Sequence, residues 1–224
     1  MTALDHFSLA LGGKAVLHDV TLRPEPGALL ALCGPNGAGK TSILRALAGL
    51  VPGSRNPDPR RVAYLAQNAH ATWPLTVEQI VTLGRIPHGD MAAPPIDNAL
   101  VRCGIAALRH ARIDRISGGE ARRAMLARVF ATEPEMFLLD EPTADLDPAA
   151  SHAILRLLRQ TAEGGAAVVV VLHAVELAAE YAHRIVLVDQ GRIVADRPAA
   201  GVLEEAAALF GMRAGLGPRL LPLP

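Results

Sequence analysis

Short, almost wholly apolar segments alternate along the chain with longer amphipathic ones, and that alternation predicts strands and helices in turn. Two strand-like segments open it, around Leu4 to Leu11 and Ala15 to Leu22, before Pro24, Pro26 and Gly27 mark a turn. Ala28 to Cys33 reads as a buried parallel strand, followed by a Gly-rich loop and a helix over Ser42 to Leu50. A Pro-rich connection, residues 51–61, leads to a strand at Val62 to Ala66. From Asn68 to Arg115 the pattern is helical in pieces, broken by Pro74, Pro87, Pro94 and Pro95, which predicts an inserted helical subdomain. The strand and helix rhythm then resumes: a helix from Gly119 to about Thr132, a strand Met136 to Leu139, a helix Ala149 to Glu163, a strand Ala167 to Leu172 and a helix Ala174 to Ala182. A hairpin over Arg184 to Ala195, turning at residues 189–191, completes the set. The long helix carries end signals, with Asp147 as N-cap, Pro148 at its first position and Gly164 after its end. Strands alternating with helices predict an α/β fold around a mostly parallel sheet covered on both faces.

Composition narrows the class of partner. Half of the 224 residues are apolar but only 3% are aromatic, so Ala, Val, Leu and Ile must build the core. Lys plus Arg equals Asp plus Glu, 22 against 22, which removes the overall basic field of a dedicated nucleic-acid binder. Only Lys14 and Lys40 are lysines, so each position asks for a reason; Lys14 reads as a solvated turn residue. The N-terminal MTALDHFSLALGG places an acid and a histidine where a signal peptide needs basic residues, and two cysteines, Cys33 and Cys103, make no disulfide framework. The longest apolar run, Ala166 to Leu172, falls far below the roughly 20 residues that cross a bilayer. The expectation is a cytoplasmic chain whose membrane role is borrowed from a partner.

Residues 34–41 read GPNGAGKT and satisfy G-x-x-x-x-G-K-[ST] between a predicted strand and a predicted helix. Glycines at 34, 37 and 39 let successive N–H groups converge on phosphate oxygens, and the following helix adds the positive end of its dipole. Pro35, Asn36, Ala38 and Ser42 complete the cradle, Lys40 supplies a compact charge, and Thr41 a hydroxyl for Mg²⁺. Further on, MFLLDE ends an apolar strand in two carboxylates. The carboxyl ends of parallel strands line the ligand crevice, which sets Asp140 and Glu141 beside the phosphates. Asp140 is the candidate Mg²⁺ residue, and Glu141 the one that orients or deprotonates the attacking water.

Between these sites lies ISGGEARRAMLAR. The ordered set formed by the phosphate loop, Gln67 in VAYLAQ, SGGE, LLDEP, ADLD and His173 in VLHAVELA resembles the ATPase subunit of an ABC transporter, over nearly the whole chain. The resemblance implies ATP and Mg²⁺ as ligands, with Gln67 contacting the metal or attacking water and His173 contacting the γ-phosphate. It implies that Ser117, Gly118 and Gly119 hold ATP bound by a second copy, in a head-to-tail homodimer that sandwiches two nucleotides. Asp145 and Asp147 match the loop that crosses that interface, Asp147 being also a plain helix cap. The implied architecture is a P-loop NTPase core with β-subdomain (1–67 and 117–200), a helical subdomain (68–116) and a C-terminal extension (201–224). The partners implied are integral-membrane permease subunits and, indirectly, a periplasmic or extracellular binding protein, with no nucleic acid; the place implied is the inner face of the cell membrane.

The segment WPLTVEQIVTLGRIPH and the glutamate of SGGE resemble the importer group that serves iron-siderophore, haem and cobalamin permeases. Trp73, Leu75 and Val77 either line the groove that receives a permease helix or, in the case of Trp73, pack inside the helical subdomain. Leu11 stands where the family carries an aromatic residue against adenine, which offers apolar contact without ring stacking. The stretch from Leu50 to Gln67 is short, which implies a trimmed antiparallel subdomain. The tail GLGPRLLPLP reads as a disordered end or a strap on a partner. Alternative readings are a zinc or manganese importer, an exporter, a soluble ABC ATPase acting on DNA or ribosomes, and a regulator that binds nucleotide without turnover.

Overall fold

The computed structural model describes residues 2–69, 73–144, 146–214 and 220–222. Its centre is a six-stranded sheet whose inner strands are apolar at nearly every position because neither face meets water. Strands β3 (Leu29–Cys33), β5 (Met136–Asp140) and β6 (Ala167–Val171) are buried throughout. With β4 (Val62–Leu65), β7 (Arg184–Asp189) and β8 (Arg192–Pro198) the order is β4-β5-β6-β3-β7-β8, parallel except for the final hairpin. A separate antiparallel ribbon of β1 (Leu4–Leu11) and β2 (Lys14–Leu22) stands at the N-terminus, with exposed Lys14 opening its second strand. No further strand joins that ribbon among the described residues, as the short stretch before Gln67 predicts.

Helices cover both faces. On one, α1 (Lys40–Leu47) packs with the inner side of the ribbon against Leu30, Leu32, Leu138 and Val169. On the other, α2 (Val77–Thr82), α3 (Ala93–Arg102), α4 (Gly118–Ala131), α5 (Pro148–Glu163) and α6 (Val175–Tyr181) enclose Leu29, Ala31, Leu139 and Val168. Asp147 caps α5 by accepting from the Ala150 N–H at 2.8 Å, with Pro148 next and Gly164 at its end, as its end signals predict. The helix after the phosphate loop is displaced from its expected span: it begins at Lys40 and stops at Leu47. Gly49 adopts φ 75°, and the N–H groups of Leu50 and Gly49 donate to the carbonyls of Arg45 and Ala46 at 2.9 and 3.2 Å, a paired closure that ends the helix early.

After β8 the chain forms α7 (Leu203–Phe210) and a short antiparallel ladder of β9 (Met212–Ala214) with β10 (Leu220–Pro222); the rest of the tail GLGPRLLPLP, residues 215–219 and 223–224, lies outside the described residues. Both cysteines are free and buried, and burial pushes each thiol up to about 12. No helix among the described residues is long and apolar enough to cross a membrane.

The helical segment is seated on α4 by a tight turn, Leu83–His88. Buried Arg85 donates to the carboxylate of Asp90 through two bonds of 2.9 Å and to the Ala131 carbonyl, the end of α4, at 2.9 Å. Beside it a Cβ on Gly84 would lie 2.1 Å from the Arg128 carbonyl oxygen, so only glycine lets the turn approach α4 this closely. Gly84→Ala is expected to destabilise the protein by about 1–3 kcal/mol, the usual cost of overpacking, read as a lowered urea midpoint at unchanged slope. An unchanged midpoint would contradict this account of the contact.

Candidate functional site

Four neighbouring strands deliver the candidate residues to one edge of the sheet. The loop after β3 becomes the phosphate cradle: Gly37 and Gly39 take φ of 77° and 107°, and Gly39 directly precedes α1 in the left-handed conformation. Its shape is fixed from outside as well. The Gly191 N–H, in the β7–β8 turn, donates to the Ala38 carbonyl at 2.8 Å, while the Gly191 carbonyl accepts from His18 of the ribbon at 2.9 Å. Lys40 is buried, and its ammonium donates to the Gly34 and Pro35 carbonyls at 2.8 Å each. Burial lowers its pKa, opposed chiefly by the charge of Glu141.

Asp140 ends β5 fully buried, and neither carboxylate oxygen has a hydrogen-bond partner. Burial pushes its pKa up, with the Thr41 hydroxyl the strongest opposing influence. A carboxylate in this state is a poor structural element and a good receptor for a cation. The next residue, Glu141, adopts φ 49°, a left-handed conformation that costs a non-glycine residue about 1–3 kcal/mol. That turn brings its Oε1 to 2.5 Å from His173 Nε2, just beyond β6. A cavity of about 370 Å³ gathers residues 36–42 of the loop with Val16, Gln67, Glu141 and His173. Thus the phosphate loop, Gln67, Glu141 and His173 line one cavity, while Asp140 lies buried at the end of β5, next to Glu141 in the chain.

The SGG residues are elsewhere. Ser117 is the N-cap of α4 in a reciprocal box with Glu120: the Glu120 carboxylate accepts from Ser117 N–H and Oγ–H at 2.8 Å, and Ser117 Oγ accepts from Glu120 N–H at 3.3 Å. These bonds hold the Glu120 carboxyl below its usual range. Ser117 and Gly118 are exposed, and Gly118 lines a second cavity of about 640 Å³ rather than the phosphate cavity. The start of α4 is thus exposed at Ser117 and Gly118 and lines no part of the phosphate cavity. Asp145 lies outside the described residues, and Asp147 acts as the cap of α5.

Around the edges the structure sharpens other readings. Trp73 is 73% exposed, so it does not pack inside the helical segment, whereas Val77 is wholly buried and cannot line a surface groove. Leu11 is 43% exposed and does not line the phosphate cavity; the apolar residue that does is Val16 on β2. Val16 carries no motif signal, only its place in a strand alternation. Arg122, likewise unmarked in the sequence, spans the main chain behind the site: it donates to the carbonyls of Gln67 at 2.9 Å, Asp140 at 3.2 Å, Glu141 at 2.5 Å and Pro142 at 3.3 Å.

Comparison with known proteins agrees with this geometry. A family model described as ABC transporter matches residues 17–144. The chain is 41% identical over 221 residues to a hemin import ATP-binding protein of Rhodococcus jostii, covering 90% of this chain and 76% of the relative. It is 40% identical over 215 residues to the protein of the same description from Streptomyces coelicolor, covering 87% and 77%. Among solved structures, a putative metal-chelate type ABC transporter in an inward-facing conformation shares the fold with a TM-score of 0.84 at 22% identity, covering 99% of this chain and 97% of that one. A family model that spans more than half of the chain, relatives about 40% identical across most of it, and a cavity that gathers the phosphate loop with Gln67, Glu141 and His173 lead to one conclusion: the chain belongs to the ABC transporter family, as an ATP-binding subunit with ATPase chemistry.

Proposed function

We propose that this chain powers import of haem, or of a chelate of the same class, by hydrolysing ATP as a head-to-tail homodimer beneath a separate permease. The observation that carries the catalytic part is the convergence of Glu141, His173, Gln67 and the phosphate loop on one cavity, with Glu141 held against His173. In this reading the backbone N–H groups of residues 34–42, with Lys40, bind the phosphates of ATP. Glu141 orients the attacking water and takes its proton, and His173 fixes the carboxylate and meets the γ-phosphate. The outward-facing Ser117, Gly118 and Gly119 serve the nucleotide of the second copy, which the exposure of the α4 start supports. The core with β-subdomain is 1–67 and 117–200, the helical subdomain 68–116 and the C-terminal extension 201–224.

The donor set fits magnesium. No cluster of three His, Cys, Asp or Glu side chains that could cage a metal exists among the described residues. Mg²⁺ bound chiefly by phosphates and water needs only one or two protein donors. Asp140, orphaned and buried, with Thr41 and Gln67 would hold the ion, which when bound would neutralise phosphate charge. Substrate choice would lie in the permease and the binding protein that feeds it, and the exposed Trp73 would face the permease at the inner membrane surface. The haem assignment rests on the relatives described as hemin import proteins.

Three outcomes are expected. Glu141→Gln should lower kcat for ATP by about 10²–10⁴-fold, the usual worth of a general base, with nucleotide binding retained; a variant as active as the wild type, with and without permease, would refute the enzyme assignment. Asp140→Asn should abolish Mg²⁺-dependent hydrolysis yet stabilise the nucleotide-free protein by about 0.5–2 kcal/mol, because burial disfavours the carboxylate's charge and the amide is neutral. A fall in melting temperature would show that Asp140 is satisfied in solution. In proteoliposomes with the permease and binding protein, haem should stimulate ATP hydrolysis above ferric siderophore, cobalamin, zinc or manganese; stimulation by one of the others alone would replace the substrate assignment.

A further inference from the structure

Arg122 sits on α4 behind the phosphate cavity, half-buried, and its polar partners include four main-chain carbonyls belonging to two loops. Nη1 donates to Gln67; Nη2 donates to both Asp140 and Glu141; Nε donates to Pro142. Those loops follow the adjacent strands β4 and β5 and carry the glutamine and the carboxylate that line the same cavity. The arrangement needs a planar fork with donors on several edges, which arginine has and lysine lacks. It also bears on the left-handed turn at Glu141, since a strained residue stays in place only where its surroundings over-determine it.

We propose that Arg122 is a positioning residue for ATP hydrolysis: by clamping the Gln67 and Glu141 carbonyls it fixes the separation and aim of the two side chains that must act on the same water. The role rests on the ATPase reading above. Because Arg122 is rooted in α4 shortly after the cap residue Ser117, a shift of that helix start also reaches Glu141 through it. A nucleotide held at Ser117 by a second copy would thereby influence the hydrolytic geometry of this one.

The test compares wild type, Arg122→Ala and Arg122→Lys, each assembled with its permease, by steady-state ATPase kinetics, equilibrium binding of a non-hydrolysable ATP analogue and amide exchange. Loss of aim by about an ångström predicts a fall in kcat of about 10²-fold in Arg122→Ala, with KM and analogue affinity unchanged because the phosphate loop is untouched. Arg122→Lys should recover only part of the rate. Amide exchange should quicken together at residues 66–69 and 140–144, the two clamped loops. Added to Glu141→Gln, Arg122→Ala should change the residual rate little, since both act through one carboxylate. Wild-type kcat in Arg122→Ala, or loss of affinity and melting temperature in step with rate, would overturn the role. If the alanine variant does not fold, full wild-type kcat in Arg122→Lys overturns it and a partial rate with unchanged KM supports it. An inactive wild type would defeat the ATPase reading and the role together, whereas an active wild type beside an equally active variant defeats the role alone.

Discussion

A parallel sheet buried on both faces can present chemistry only where its strands end, and this constraint arranges the whole molecule. The strands β4, β5, β6 and β3 lie side by side in that order. Gln67 follows the first, Asp140 and Glu141 end the second, His173 follows the third, and the phosphate loop follows the fourth. Residues scattered over more than a hundred positions thus become neighbours along one edge without long side chains or special loops. The apolar inner strands, built mainly of Leu and Val, fix this order and do no chemistry, yet a slip in their pairing would scatter the site.

That edge is costly to maintain without ligand. Asp140 is buried with no partner, Lys40 is turned back on the carbonyls of its own loop, and Glu141 holds a left-handed backbone. Each departs from what stability alone would select, and they lie within one small region. Phosphates with a divalent ion would offer each a different partner: anionic acceptors for Lys40 in place of main-chain carbonyls, a cation for Asp140 and a reacting group for Glu141. Local instability at such a site is the expected counterpart of tight and specific nucleotide binding.

Much of this was legible in the sequence because the informative signals were local. The β3–loop–α1 unit, the acidic end of β5 and the cap and stop of α5 all rest on residues a few positions apart. The early end of α1 was less so, since Gly49 closes it through hydrogen bonds that a run of apolar residues to Leu50 conceals. Val16 and Arg122 escaped for a different reason. Val16 reaches the cavity because the ribbon leans on the turn at Gly191, and Arg122 because α4 lies behind two loops; both placements are tertiary and leave no local pattern. Trp73 was ambiguous because exposure, not residue type, decides between a core residue and a docking residue.

The separation of Ser117 from the phosphate cavity completes the physical argument. Within one chain, its hydroxyl and the Glu120 carboxylate are spent on each other in the capping box, which shapes and steadies the start of α4. Ser117 and Gly118 at that first turn are exposed, and a helix start carries the positive end of the helix dipole. None of the residues that line the phosphate cavity belongs to the start of α4, so the proposed contact of Ser117 with nucleotide needs a second copy. Two copies placed head to tail would bring each helix start over the other's cradle, and a single ATP would then bridge them. In the proposed head-to-tail dimer, closure and completion of the catalytic site would be one event, the property a transporter needs if hydrolysis is to be tied to movement of its permease.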